Sequence, residues 1–239
     1  MIRLDKYLAD MGEGTRQEVK KSIRQGRILV EGAPVKKPEY NIDETKQRVT
    51  IDGREICYRQ FEYFMLHKPA GVVSATEDPR EKTVISLIGE AKRKDLFPAG
   101  RLDKDTEGLL LITNDGALAH RLLSPRHHVD KCYYAKIQGI VTEEDVKRFA
   151  EGVNIGTKEC EEWTAPGGLE ILKKDEASGI SEIRLTLQEG KYHQVKRMFE
   201  AAGKTVTYLR RESMGSLVLD QSLKPGQYRR LTDEELESL

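Results

Sequence analysis

Between Gly100 and Gly116 the chain reads GRLDKDTEGLLLITNDG, a highly charged stretch that runs directly into an apolar segment at residues 109–113. A short apolar run bounded by turn residues predicts a buried strand. The charged stretch then becomes a turn between Phe97-Pro98 and that strand. Asp103 falls at the strand entrance, beside the core and facing a cleft, with Arg101 two residues before it. A carboxylate held near cations at a strand edge stays ionised, as a nucleophile or general base must. Spacing alone leaves other readings open. The stretch can be an ordinary solvated loop, and Asp105 or Glu107 can take the place of Asp103 as the working acid.

The 239 residues suit two domains or one large one and can bury a sizeable core. A hydrophobic fraction of 38% against 33% charged residues is the balance of a soluble globular protein. No apolar run approaches a membrane span, and the opening MIRLDKYLADMG lacks the apolar block of a signal peptide. Cys57, Cys132 and Cys160 are widely spaced and form no CxxC pair, so neither a disulfide framework nor a zinc site is expected. A reducing cytoplasm and no membrane partner follow as expectations.

A net charge of zero argues against a nucleic-acid partner, but the charges are unevenly placed. Residues 15–37 carry Arg16, Lys20, Lys21, Arg24, Arg27, Lys36 and Lys37 against only Glu18 and Glu31. Residues 191–211 carry Lys191, Lys196, Arg197, Lys204, Arg210 and Arg211 against Glu200 alone. Screening confines each charge to about 8–10 Å, so local basic faces matter more than the sum for phosphate contact.

Residues 1–58 read as a small module. Leu4, Tyr7, Leu8 and Met11 follow helical spacing, and Gly12-Glu13-Gly14 ends that helix. Thr15 and Glu18 form a capping box for a second helix, with Val19, Ser22 and Ile23 inward and Lys20, Lys21 and Arg24 outward. Short strands follow around Ile28 and Val30 and at residues 49–51. Residues 59–239 form the larger domain. Alternation at Phe61, Tyr63, Met65 and His67 predicts a strand leading to Lys68-Pro69-Ala70-Gly71. Further strands are expected at 131–138, around 183–187 and at 206–209. Helices are expected at 84–88, 117–123, from Thr142 to Gly152 and at 192–202, with a last capping box at Thr232 and Glu235. Strands interrupted by isolated helices predict an α+β fold: a small N-terminal α/β module, then a mixed, mostly antiparallel sheet with flanking helices.

The segment GRLDKDTEGLLLITNDG closely resembles the signature of the RsuA-like pseudouridine synthases, a family of ribosomal RNA modifiers. RLDKYLADMG and TRQEVKKSIRQGRILVEG resemble the RNA-binding module of ribosomal protein S-four, with Thr15 where that pattern usually has Ser. The first resemblance implies that Asp103 is the catalytic aspartate. EGKYHQVKRM resembles the family's second signature, implying that Lys196 supplies the cation that pairs with the aspartate, with the adjacent Arg197 expected to contact the substrate; both can otherwise be exposed helix side chains. KCYY at 131–134 resembles the lysine-x-tyrosine segment and implies that Tyr133 packs against the target base, worth about 1–3 kcal/mol in stacking. Tyr134 is expected on the opposite strand face, filling core. By the same resemblance Arg101 fills the gap left by the flipped uridine; the alternative is a salt bridge to Asp105 or Glu107. His67-Lys68-Pro69-Ala70-Gly71 reads first as a structural turn, with Lys68 a phosphate contact. Arg16, Lys20, Lys21 and Arg24 are the expected RNA contacts of the first module.

The implied activity is cofactor-free and metal-free isomerisation of a uridine in ribosomal RNA, with the YHQ variant pointing to 16S rRNA. The partner is ribosomal RNA or a pre-ribosomal small-subunit particle, and the enzyme is expected to act as a monomer. Alternatives are a 23S rRNA synthase and a catalytically idle RNA-binding assembly factor. A nucleosidase using the same carboxylate is a third possibility, and would liberate free uracil.

Overall fold

The helical spacing at Leu4, Tyr7 and Leu8 becomes, in a computed structural model describing residues 1–91, 93–157 and 159–239, the first of two short helices in an N-terminal unit. That unit runs β1 (Ile2–Arg3), α1 (Leu4–Asp10), α2 (Arg16–Arg24), β2 (Ile28–Val30), β3 (Ala33–Pro34), β4 (Asn41–Ile42), β5 (Val49–Ile51) and β6 (Arg54–Ile56). Thr15 Oγ1 accepts the Glu18 N–H (3.3 Å) while Glu18 accepts the Thr15 N–H (2.7 Å), the reciprocal cap read from the sequence. Val19 and Ile23 then face Leu4, Tyr7 and Leu8 in one core with Ile28, Val49 and Ile51 from the sheet β3-β2-β5-β6. Arg16, Lys21 and Arg24 point to solvent, and half-buried Lys20 lies 3.8 Å from Asp5.

The chain divides into Met1–Glu62 with Gly89–Leu96 and Tyr63–Ile88 with Phe97–Leu239. The expected division at 58/59 thus moves to 62/63, and one later segment belongs with the first unit. Electrostatics explains the segment: the Arg93 guanidinium lies 3.1 Å from Asp10, and its backbone N–H donates to Glu62 at 2.9 Å.

The second unit runs β7 (Tyr63–Lys68), β8 (Phe97–Pro98), β9 (Glu107–Thr113), α3 (Gly116–Leu123), β10 (Lys131–Gln138), α4 (Glu143–Glu151), β11 (Gly168–Asp175), β12 (Ile180–Leu187), α5 (Gln194–Ala201), β13 (Thr205–Met214), β14 (Leu217–Val218), β15 (Tyr228–Arg230) and α6 (Asp233–Glu237). Its sheet follows the order β11-β12-β10-β13-β9-β7-β15, with β14 on β13 and β8 on β9. The β9–β13 pair is parallel and the other pairs are antiparallel, so the sheet is mixed and mostly antiparallel as expected. From Gly108 to Thr113, β9 is buried on both faces; Leu109 and Leu111 pack against Met65, Leu118, Leu122 and Met214. Strand β11 escapes the sequence pattern because it is an edge strand with mostly exposed residues, so no alternation marks it.

The parallel contact explains one residue of the charged segment. Gly108 pairs with Arg211, and a Cβ there would meet the Arg211 carbonyl oxygen at 2.2 Å, in a backbone at φ +104°. Both the close approach and the left-handed backbone call for glycine. Gly108→Ala is expected to destabilise the second unit by about 2–5 kcal/mol, from overpacking plus backbone strain, read as a lowered denaturation midpoint. An unchanged midpoint would show that β9 and β13 do not pair this closely.

Candidate active site

Asp103 sits on the loop between β8 and β9, and several tethers fix that loop. The buried Leu102 exchanges hydrogen bonds with Ser74: Ser74 Oγ donates to the Leu102 carbonyl (2.8 Å) and accepts the Leu102 N–H (3.1 Å). The Thr106 N–H closes a turn onto the Asp103 carbonyl at 3.1 Å, and the Gly71 N–H reaches the Lys104 carbonyl at 2.7 Å. Lys68, at the end of β7, is the central support. Its Nζ donates to the carbonyls of Pro69 (3.0 Å), Lys104 (3.2 Å) and Thr106 (2.8 Å), and its side chain is fully buried. The expected phosphate contact is therefore corrected: this ammonium is spent on backbone oxygens and has no path to an RNA phosphate. Burial pushes it down to about 8, although Asp105, Asp103 and Glu107 favour its charged form.

Opposite this loop, the 189–193 turn delivers the cation. The Gln194 side chain accepts the Lys191 N–H (2.9 Å) and donates to Glu189 (2.7 Å), whose carboxylate also accepts the Ala165 N–H (2.8 Å). This clamp starts α5 at Gln194 rather than at residue 192, and leaves His193 in the left-handed region at φ 48°. Lys196, in the first turn of α5, reaches Asp103 Oδ2 at 3.1 Å and Asp105 Oδ1 at 2.6 Å. Burial works against charge on both Lys196 and Asp105. Their mutual contact wins, leaving the ammonium above and the Asp105 carboxyl below their usual ranges.

Arg197 faces elsewhere, because one helical step turns a side chain by about 100°. It donates to the Ile155 carbonyl (2.6 Å) and to Glu162 (2.5 Å), which corrects the expectation that it contacts substrate. The basic cluster at 191–211 is not an open face either. Lys191 reaches Glu162, Lys204 reaches Asp145, Arg210 reaches Glu212, and Arg211 is buried. Counting charge along the chain could not reveal carboxylates supplied by distant segments.

Tyr133 lies on the buried face of β10 and lines an inner pocket of about 80 Å³ together with Arg101, Asp103 and Lys196. Tyr134 points to the other face as expected, but not into core. It is half-exposed, its hydroxyl donates to Glu182 (2.6 Å), and the Arg210 guanidinium lies 5.3 Å from its ring centre. Arg101 is exposed and, among the described residues, pairs with no carboxylate; Asp105 is taken by Lys196, and Glu107 accepts from the Tyr208 hydroxyl at 2.8 Å. His193 is a pocket residue the sequence reading did not single out. Its Nε2 lies 3.6 Å from Asp103 Oδ1 and its ring stacks on Tyr192 at 3.8 Å. Its sequence signal is its place in the YHQ step at 192–194. A wider cleft of about 760 Å³ shares Arg101, Asp103, Tyr133 and His193 with the inner pocket. Among the described residues no cluster of His, Cys, Asp or Glu could hold a metal ion. No helix among them is long and apolar enough to cross a membrane.

The RNA pseudouridylate synthase family model matches residues 62–201, which contain every residue of this pocket except Leu209, and the S4 domain model matches residues 2–49. The chain belongs to the RNA pseudouridylate synthase family. It is 49% identical to an uncharacterised RNA pseudouridine synthase of Bacillus subtilis, over 100% of this chain and 98% of the relative. It is 43% and 39% identical to the ribosomal small subunit pseudouridine synthase A of Vibrio parahaemolyticus and of Escherichia coli K12, covering all of this chain and 99% and 100% of theirs. A crystal structure of a pseudouridylate synthase superimposes with a TM-score of 0.67 at 37% identity, over 100% of this chain and 99% of that one. The enzyme is therefore an isomerase of the α+β class with an N-terminal S4 domain.

The buried Lys68 makes a pH-dependent contribution to stability. Its ammonium is disfavoured in the folded state, so the unfolded chain binds more protons between about pH 8 and its ordinary titration near 10.5. Stability contributed by this group therefore rises with pH across that window; below pH 8 the full cost of burying the charge is present. Relative to Lys68→Met, the wild type is expected to gain about 1–3 kcal/mol between pH 8 and 10, read by denaturant unfolding at each pH. Parallel pH dependences for the two proteins would contradict the assignment.

Proposed function

We propose that the enzyme isomerises one uridine of small-subunit ribosomal RNA, with Asp103 as the nucleophile or base. The supporting observation is the convergence of Asp103, Lys196, Tyr133 and Arg101 on one pocket. The small-subunit substrate is supported by full-length likeness to relatives named for that reaction. In this reading the C1′–N1 glycosidic bond breaks, the uracil turns, a C1′–C5 bond forms, the proton on C5 leaves to solvent and N1 takes up a proton in exchange. Asp103 attacks C1′ or C6, or removes a proton from the 2′ carbon, with the Lys196 ammonium 3.1 Å away. Tyr133 holds the extruded base, and the unpaired guanidinium of Arg101 enters the space the base leaves, offsetting an extrusion cost of a few kcal/mol.

Arg16, Lys21 and Arg24, exposed on α2, carry the RNA contact of the first unit, with Lys20 beside them. Their phosphate contacts position the RNA without reading its sequence. The enzyme acts as a cytoplasmic monomer, on ribosomal RNA or on a pre-ribosomal small-subunit particle.

The test is tritium release from 16S rRNA labelled at C5 of uridine. Wild type is expected to release tritium without liberating free uracil, and Asp103→Asn to lower the rate by at least about 1000-fold. Lys196→Met should lower it by about 100-fold, since the cation beside the reacting carboxylate is lost. Equal release by wild type and Asp103→Asn would sink the assignment of the carboxylate. Free uracil would mark a nucleosidase. RNA binding by the wild type without any release would mark an idle assembly factor.

A further inference from the structure

Two buried cations on the wall of the wider cleft form no ion pair among the described residues. Lys131 opens β10, and Arg211 lies on the adjacent β13, where the register sets it opposite Tyr133. Residues two apart on a strand, and residues directly opposite on its neighbour, share one face. Lys131, Tyr133 and Arg211 therefore form a contiguous patch, 6%, 9% and 2% exposed, and all three border the cleft.

Their polar partners are few. Lys131 Nζ donates to the Val129 carbonyl at 3.1 Å, which leaves two ammonium protons. Arg211 Nε donates to the Leu109 carbonyl at 2.9 Å, while its Nη2 is buried without a hydrogen-bond partner. Among the described residues neither forms an ion pair. Of the other cations near the cleft, exposed Arg101 is likewise without a carboxylate among the described residues, whereas Lys104 reaches Glu81, Lys191 reaches Glu162, and Lys196 reaches Asp103 and Asp105. Burial and then the Arg211 charge push Lys131 below its ordinary range, offset in part by Asp130, whose carboxylate accepts from Gln188 at 2.9 Å.

Two unanswered cations side by side cost the fold desolvation and mutual repulsion. An anion arriving from the cleft removes both costs, and a phosphodiester suits a guanidinium beside an ammonium. We propose that Lys131 and Arg211 form a phosphate subsite that takes one backbone phosphodiester of the RNA whose uridine lies against Tyr133. This rests on the cleft being the RNA site, as set out under the proposed function.

The experiment measures binding of a 16S rRNA fragment to the full chain carrying Asp103→Asn, across a salt series, with and without a further substitution. Lys131→Gln is expected to weaken binding about tenfold. It should also reduce the slope of log affinity on log salt by about 0.7, the share of one single-strand phosphate contact. Arg211→Lys, which keeps the charge, should preserve the slope. Single methylphosphonate linkages around the target uridine then locate the contact. One neutral linkage is expected to weaken the Asp103→Asn protein about tenfold and the Lys131→Gln double variant, in which Arg211 alone faces the phosphate, by clearly less. A merely structural Lys131 would give losses that add at every linkage, or an unchanged salt slope, and either result overturns the subsite. Tritium release by the wild type checks the underlying reading separately. Release without coupling removes the subsite alone, whereas neither release nor RNA binding removes the reading and the subsite with it.

Discussion

Lys196 lies between two carboxylates that share one turn, 3.1 Å from Asp103 and 2.6 Å from Asp105. The acids come from the loop entering β9 and the ammonium from the first turn of α5, nearly a hundred residues later. Without the cation, two like charges two residues apart would favour protonation of one of them. With it, the Asp105 carboxyl is held below its usual range, beside a pocket that also holds Tyr133. The pair is partly exposed, so its direct contribution to stability is modest, and its larger effect is on the charge state of the site.

Three further features hold that geometry. Lys68 ties the Asp103 loop to β7 through three backbone carbonyls. Gly108 lets β9 approach β13 closely enough for Arg211 to bond the Leu109 carbonyl. Gln194 and Glu189 clamp the turn before α5, which sets where Lys196 emerges. Lys68, Lys131 and Lys196 show how differently one residue type is used at one site. The first neutralises backbone dipoles, the second borders the cleft with no ion pair among the described residues, and the third answers two.

Features fixed by neighbours in sequence were legible beforehand. The capping boxes at Thr15 and Thr232, the bounds of β10 and the division of Tyr133 and Tyr134 between strand faces follow from local rules, and the structure contains them. The pairing of Asp103 with Lys196 was legible only through family resemblance, since nothing local joins residues so distant in the chain. What was misread depends on long-range contacts. Lys68 and Arg197 looked like free cations because the Lys104 and Thr106 carbonyls that hold the first, and the Ile155 carbonyl and Glu162 carboxylate that hold the second, lie on other segments. Helix α5 was expected two residues early because the Gln194–Glu189 clamp overrides the helical pattern. Tyr134 was expected in the core because its partners Glu182 and Arg210, on the flanking strands, were not visible from its own strand.

The central claim is that one carboxylate, Asp103, makes this chain a small-subunit RNA modifier. It is tested most directly by mapping pseudouridine in ribosomal RNA from cells lacking the protein, complemented with wild type or with Asp103→Asn. The account predicts that one 16S site loses its pseudouridine, regains it with wild type and stays unmodified with the variant. Restoration by Asp103→Asn, or a pseudouridine map unchanged by loss of the protein, would contradict it.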